Sequence, residues 1–403
     1  MTRGCADAMA RRFAEHFPAT VTHRCIGREA EFHLVGADGR PVDATGVLAR
    51  LLDRRGGRPA VTADGLVGVR LENSSVLKEV GRATLEIAFD PVPYLDDADL
   101  AYRTTVRDLE VLAQEMDAQL VFRGVHPSAV PGPEHMTPKA RYRAMAGRLG
   151  GAWYWFTVTA SDQTHVDVSR AEAAQVFAVL NRLTPVVWAL CGNSRDGGGG
   201  TQRPTPNSRE RRMLELFAAQ GRAGRYGMFP EGISTVDAYV SHVAGLELLT
   251  LDHADEFRSG SGTWSGWSRR EDLTEDEAWR LFSFHEHYVW PSARLRSRTG
   301  TLELRAACQQ PRDEHLSAAT LHLGLVEGWR DLAALRPDRD MGPRALDSGL
   351  DLPDHDLAIV EQALEACQEA LTRRGHGEER FTEPLWRRLE LRENPGQREE
   401  RNA

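Results

Sequence analysis

Cysteine is scarce and unpatterned in this chain: Cys5, Cys25, Cys191, Cys308 and Cys367 are five in 403 residues, odd in number and never in a C-x-x-C spacing. That excludes the disulfide framework of a small secreted domain and the ligand spacing of a zinc ribbon, and reduced thiols in the cytoplasm are the expectation. Long apolar runs are also missing. No stretch approaches the roughly 18 apolar residues of a membrane span, and the opening MTRGCADAMARRF has no signal-peptide core. Nor is there a basic excess: 50 Lys plus Arg stand against 59 Asp plus Glu, a net charge of -9. A nucleic-acid footprint or an anionic-membrane partner is therefore not expected, and small molecules are the partners to look for.

What is present suits a large soluble fold. Hydrophobic residues make up 41% and charged residues 27%, enough for a sizeable core and unlike a disordered chain. Residues 26–35 (IGREAEFHLV) and 83–89 (ATLEIAF) alternate apolar with polar, the period of half-buried strands. Further strands are expected at 119–125, as a pair within 155–168, and at 301–306. Helical spacing marks 44–58, 101–117, 207–220, 234–249 and 354–374, the last stopped by Gly375. Ser169 with Glu172 and Thr274 with Glu277 read as capping boxes. Residues 193–206 and 258–272 read as loops, the first a mobile loop or lid. Strands and helices intersperse without regular βαβ alternation, so the fold class is α+β with an antiparallel sheet. The strands that carry chemistry span positions 29 to 305, which requires one domain over 1–392, with 393–403 a frayed tail.

In a strand, residues i and i+2 share a face. Glu29, Glu31 and His33 therefore lie opposite Ala30, Phe32 and Leu34. The same division recurs for Glu86 against Leu85 and Ile87, for His165 and Asp167 against Val166 and Val168, and for Glu303 and Arg305 against Leu302 and Leu304. A solvated sheet face is the ordinary explanation of one such strand. The set is different, because its ionisable positions hold four Glu and no Lys, and gathered carboxylates repel unless a cation lies among them. Oxygen ligands favour Mg²⁺ or Mn²⁺, and carboxylate-held Mg²⁺ usually accompanies a phosphorylated substrate. His165 and Arg305 are placed to meet phosphate oxygens.

These residues resemble the glutamate-cysteine ligase family of carboxylate-amine ligases. GREAE resembles that family's GxExE opening, and TLEIAF, TASDQTHVDV and TLELRAACQQP follow in its order and approximate spacing. TPKARYRAM (137–145), CGNSR with Ser208-Arg209 and Arg225-x-Gly227, and WPSARLRSRTGTLELR are similar to stretches of the plant-like and actinobacterial branch. The resemblance covers roughly residues 26–335. It implies a curved antiparallel sheet with helices packed on its outer face and a concave face for ATP and Mg²⁺. It also implies Glu29, Glu31, Glu79, Glu86 and Glu303 as metal ligands, His165, Arg305 and Gln163 on ATP, and Arg209, Arg225 and Arg294 on substrate carboxylates. The activity implied is formation of a γ-glutamyl dipeptide from L-glutamate and cysteine or another small amino acid. Departures occur at Cys308, where the family has Asp, at Arg195, where it has Pro, and at Gln163-Thr164-His165, which is closer to the bacterial form; they leave the acceptor open. A metal-dependent amidohydrolase using the same carboxylates on water is the alternative.

Other features point less clearly. Gly197 to Gly200 lack the GK[ST] of a P-loop. His285 and His287 make no HExxH and suit packing or support. Trp153, Trp155, Trp264 and Trp267 suit core packing or a pocket wall, and Cys308 a buried thiol.

Overall fold

The computed structural model describes residues 3–63, 65–195, 204–253, 256–271 and 273–402. Nine strands form its main sheet: β1 (Ile26–Gly36), β2 (Arg58–Thr62), β3 (Gly65–Arg70), β4 (Ser74–Lys78), β5 (Thr84–Val92), β6 (Ala118–Val121), β7 (Asp162–Asp167), β8 (Ala293–Arg296) and β9 (Thr301–Leu304). Their order is β8-β9-β7-β1-β5-β4-β3-β2, with β6 beside the second half of β1. Every pairing is antiparallel. β1 is central because β5 pairs along one edge while β7 and β6 share the other, β7 along its first half and β6 along its second.

The period-2 pattern fixes which face goes inward. Ala30, Phe32, Leu34, Val69, Val76, Leu85 and Ile87 are fully buried on one face. They pack with Val47, Leu48 and Leu51 of helix Thr45–Arg55 and with Leu109 and Leu112 of helix Leu95–Gln114. Further along the same face, Val166, Leu302 and Leu295 meet helices Ala173–Arg182 and Ser317–Glu327. A fully buried aromatic such as Phe32 contributes enough that its loss to Ala costs about 3–5 kcal/mol. The other face is roofed by Ala140–Leu149, Gly151–Trp155, Ser208–Ala219 and the end of Glu275–His287, whose aromatics form a separate cluster.

Several expectations change. Residues 155–158 are helical (Gly151–Trp155, then a 3-10 turn Phe156–Val158), because Trp153, Trp155 and Phe156 pack into the roof rather than alternate across a sheet. Only β7 remains of the expected pair. Within 258–272, Thr263 caps a short helix, Trp264–Ser268, by accepting from the Gly266 N–H at 3.1 Å. The Thr274–Glu277 capping box is complete, and Glu172 accepts from the Ser169 N–H at 3.0 Å although the helix begins at Ala173. Gly375, at φ 78°, ends the long helix Asp354–Arg374. The hairpins of β2, β3 and β4 went unread, as RPAVT has no alternation. The chain end is no loose tail: Pro395–Asn402 is a helix, and Asn394 is buried with its amide donating to the Ala189 carbonyl at 2.9 Å. Residues 196–203, with Gly197 to Gly200, lie outside the described residues. Among those described, no single helix is long and apolar enough to cross a membrane.

Candidate active site

Register places the ionisable side chains together. Glu31 lies directly across from Glu86, Glu29 across from Gln163, and Glu303 across from both His165 and Arg294. Glu79 arrives from the β4–β5 turn, which is held by the Glu79 N–H on the Thr84 carbonyl at 3.1 Å. Gly81 is needed in that turn, since a Cβ there would lie 2.3 Å from the Thr157 carbonyl oxygen. The TPKARY segment clamps the same turn: Thr137 Oγ1 donates to the Glu79 carbonyl and Lys139 Nζ to the Lys78 carbonyl, each at 2.7 Å.

Two triads result. In each, Glu29–His165–Glu303 and Glu31–Glu79–Glu86, one potential ligand atom per residue lies within 4.8 Å of the others. The five carboxylates, Glu29, Glu31, Glu79, Glu86 and Glu303, line a cavity of about 230 Å³ together with Arg141, Arg209, Arg294, Arg296 and Arg305, and His165 stands behind Glu29 outside that lining. In the first, Arg294 binds Glu303 through both nitrogens of its fork, at 2.5 and 2.8 Å. Arg296 Nε stands 3.4 Å from the same carboxylate, and Arg305 donates to it and to Gln163. Burial opposes ionisation of Glu303, yet these three arginines hold its pKa well below the usual carboxylate range. Glu29 is likewise held low against burial, by the hydrogen bond and charge of His165. A carboxylate only accepts, so His165 donates from Nε2 at 3.2 Å and takes the Thr301 hydroxyl on Nδ1 at 3.2 Å.

The second triad is the reverse. No Arg or Lys nitrogen lies within 4 Å of Glu31, Glu79 or Glu86 among the described residues. Glu31 accepts from the Ser161 N–H at 2.6 Å and from the Gln163 amide at 3.1 Å. Even so, burial and the charge of Glu79 push its pKa up to about 7. Burial and the charges of Glu79, Glu29 and Glu31 drive Glu86 well above its usual value. Buried Glu31 and Glu86, both pushed toward the protonated form, and half-buried Glu79 form an oxygen-rich donor set suited to a hard divalent cation.

The arginines divide. Arg209 and Arg294 line the cavity, Arg209 paired with Glu210 at 2.7 Å. Arg225 lies elsewhere, its buried fork spent on the Tyr288 and Glu247 carbonyls, with burial depressing its pKa to about 9. Arg141, Tyr142, Arg296, Ser161, Tyr288 and Trp290 also line the cavity without having been picked out, and His287, expected to pack or support, lines it as well. The RY of TPKARYRAM and the i+2 spacing of Arg296 from Arg294 were the signals available. Trp153 is a cavity wall, whereas Trp155, Trp264 and Trp267 are core. His285 is buried, bonded to the Val243 carbonyl at 2.9 Å and pushed down to about 3 by burial. Cys308 is fully buried, which raises its thiol pKa.

The model of glutamate-cysteine ligase family 2 matches residues 25–402. Among solved structures, the glutamate-cysteine ligase of Francisella tularensis, in complex with AMP, aligns with a TM-score of 0.58 at 10% identity, covering 95% of this chain and 85% of that one. A bifunctional glutathione synthetase from Pasteurella multocida aligns at 0.53 and 13% identity over 98% of this chain, which spans 49% of that longer protein. At these identities the likeness is one of fold. None of the curated proteins compared with the chain matches it. With a family model matched from residue 25 almost to the last residue, the chain belongs to glutamate-cysteine ligase family 2.

Proposed function

We propose that this protein is an ATP-dependent carboxylate-amine ligase that joins the γ-carboxylate of L-glutamate to the amine of cysteine or another small uncharged L-amino acid. The observation that carries the reading is the gathering of five carboxylates, Glu29, Glu31, Glu79, Glu86 and Glu303, with Arg305 around one cavity. Family membership supports it, as does the AMP bound in the Francisella ligase. A carboxylate is a poor acyl donor until its oxygen is phosphorylated. The γ-carboxylate oxygen bonds the terminal phosphorus of ATP as the bond to ADP breaks. The amine nitrogen then bonds the acyl carbon, phosphate departs, and the amine proton passes to solvent.

Glu29 and Glu303 on one side, and Glu31, Glu79 and Glu86 on the other, would hold Mg²⁺ or Mn²⁺. The bound cations would supply neutralisation and alignment of phosphate charge. Arg305 presents a planar fork to the transferring phosphoryl oxygens, with Gln163 and Glu303 fixing its direction. His165, steered by Glu29 and Thr301, reaches phosphate at the same edge. Arg209 and Arg294, which line the same cavity, would meet the donor carboxylates.

The test is ADP release with glutamate and each small amino acid in turn, with mass spectrometry and NMR of the product. A γ-linked dipeptide formed only when ATP, glutamate and acceptor are all present is the expected result. Amide hydrolysis without ATP would instead identify the metal-dependent amidohydrolase.

A further inference from the structure

Five arginines line the cavity, and four of them already face a carboxylate: Arg209 faces Glu210, while Arg294, Arg296 and Arg305 share Glu303. Arg141 has no carboxylate within 4 Å among the described residues. Its guanidinium lies over the Tyr142 ring, 5.0 Å from the centroid, and donates to the Tyr142 hydroxyl at 3.4 Å. A half-buried fork left open in a cavity of low dielectric is matched to an anion with two coplanar oxygens, which is a carboxylate.

The wall beside it is aromatic. Tyr142 and Trp153 have ring centroids 5.5 Å apart, Trp153 and Phe156 5.4 Å, and Phe156 and Trp290 5.4 Å. The Trp153 indole nitrogen is buried and without a hydrogen-bond partner among the described residues, leaving one further donor on this wall. A cation set in an apolar wall recognises a molecule with an anionic head and an uncharged body. Glutamate, with two carboxylates separated by short methylenes, does not supply that body. An amino-acid acceptor does. Its attacking amine must be neutral, so its carboxylate is the one charge by which it can be held.

We infer that Arg141 binds the α-carboxylate of the amine acceptor, with the acceptor side chain against Trp153, Phe156 and Trp290. The inference rests on the ligase reading above and adds a requirement to it. Acceptors are free amino acids with uncharged, apolar or thiol side chains, and their carboxamides are excluded.

The experiment is binding calorimetry on the full chain, with Mg²⁺ and the non-hydrolysable ATP analogue AMP-PNP present. The probes are L-cysteine, L-alanine, L-valine and L-phenylalanine and the carboxamide of each. Wild-type protein should bind at least one amino acid about a hundredfold more tightly than its amide. Arg141→Met should erase that preference by weakening the acid alone, and Arg141→Lys should fall between. Because Arg141 makes no ion pair among the described residues, the melting temperature of both variants should stay within about 2 °C of wild type; a variant that melts lower is replaced by Arg141→Gln. Equal binding of acid and amide to wild type, no binding of any probe, or an undiminished preference in the variants overturns the inference. ADP release by the wild type is scored separately. Discrimination lost in Arg141→Met but no ADP formed by wild type would sink the ligase reading while leaving the carboxylate site standing.

Discussion

Glu29 and Glu31 stand two residues apart on β1, yet they belong to triads of opposite charge balance. Around Glu29 and Glu303 the protein supplies its own partners, three arginines on Glu303 and the His165 Nε2–H on Glu29, and the carboxylates are held ionised. Around Glu31, Glu79 and Glu86 no Arg or Lys nitrogen lies within 4 Å among the described residues, and Glu31 and Glu86 are pushed toward the protonated form. One triad is complete as folded; the other is stable only with protons or a cation among its oxygens. The difference shows that equal numbers of carboxylates on one sheet do not make equal sites. What decides is the neighbouring strand: β8 and β9 bring arginine to the first, whereas β4 and β5 bring only more Glu to the second.

The largest effect should come from breaking the complete triad. Glu303→Gln leaves Arg294, Arg296 and Arg305 around a neutral amide, and removing one partner of a buried charge group costs about 3–5 kcal/mol. Urea unfolding should show that loss alongside abolished product formation. An unchanged midpoint would mean that the three arginines do not depend on Glu303. Next in size is Arg305→Lys, which keeps the charge and loses the fork. Turnover should fall on the order of a hundredfold with little change in the glutamate KM. Equal changes in both would make Arg305 a binding residue rather than one that acts on the transferring phosphoryl group.

Most of this comparison lies in a pattern that sequence displays well. Period-2 alternation marked Glu29, Glu31, Glu86, His165, Glu303 and Arg305 as one ionisable face, since a pleated strand leaves no other way to arrange them. Charge balance was not legible, because it depends on which strand lies beside which, and the order β8-β9-β7-β1-β5-β4 is not the chain order. Arg225 illustrates a second limit. An arginine satisfied by two backbone carbonyls has the same letter as one that awaits a ligand, and only the fold separates it from Arg141. The helical turn at 155–158 was missed for a third reason: W-F-T-V-T alternates like a strand, while the aromatic roof buries Trp153, Trp155 and Phe156 together.

The opposite sign is expected in the second triad. Glu86→Gln removes a carboxylate whose folded pKa is raised, so it should stabilise the metal-free protein while also ending activity. An acid whose folded pKa lies above its unfolded value of about 4.5 keeps its proton in the folded state through the intervening range. Stability is therefore lost as pH rises through that window. The gain from Glu86→Gln should accordingly be larger at pH 8 than at pH 5. Denaturant midpoints at the two pH values check this, and a destabilised variant at pH 8 would contradict the charge imbalance.

The finest test compares proton with cation at Glu31, whose pKa stands at about 7. A cation entering its triad must displace the proton, so binding and deprotonation are linked. Below pH 7 the apparent Mg²⁺ affinity should fall by at least about tenfold per pH unit, equivalent to about 1.4 kcal/mol, and the proton held by Glu86 adds to the dependence wherever it too must leave. Thermal shifts on adding Mg²⁺ without nucleotide, at pH 6, 7 and 8, measure it directly. Glu31→Gln cannot hold that proton and should show a flatter response over the same range, along with a smaller shift at pH 8. The first triad supplies the control: Glu29 and Glu303 are already ionised, so a cation seated on them displaces no carboxylic proton. A pH-independent shift in wild type would thus place the stabilising cation in the triad that the arginines already balance, and the contrast between the two would lose its meaning for metal binding.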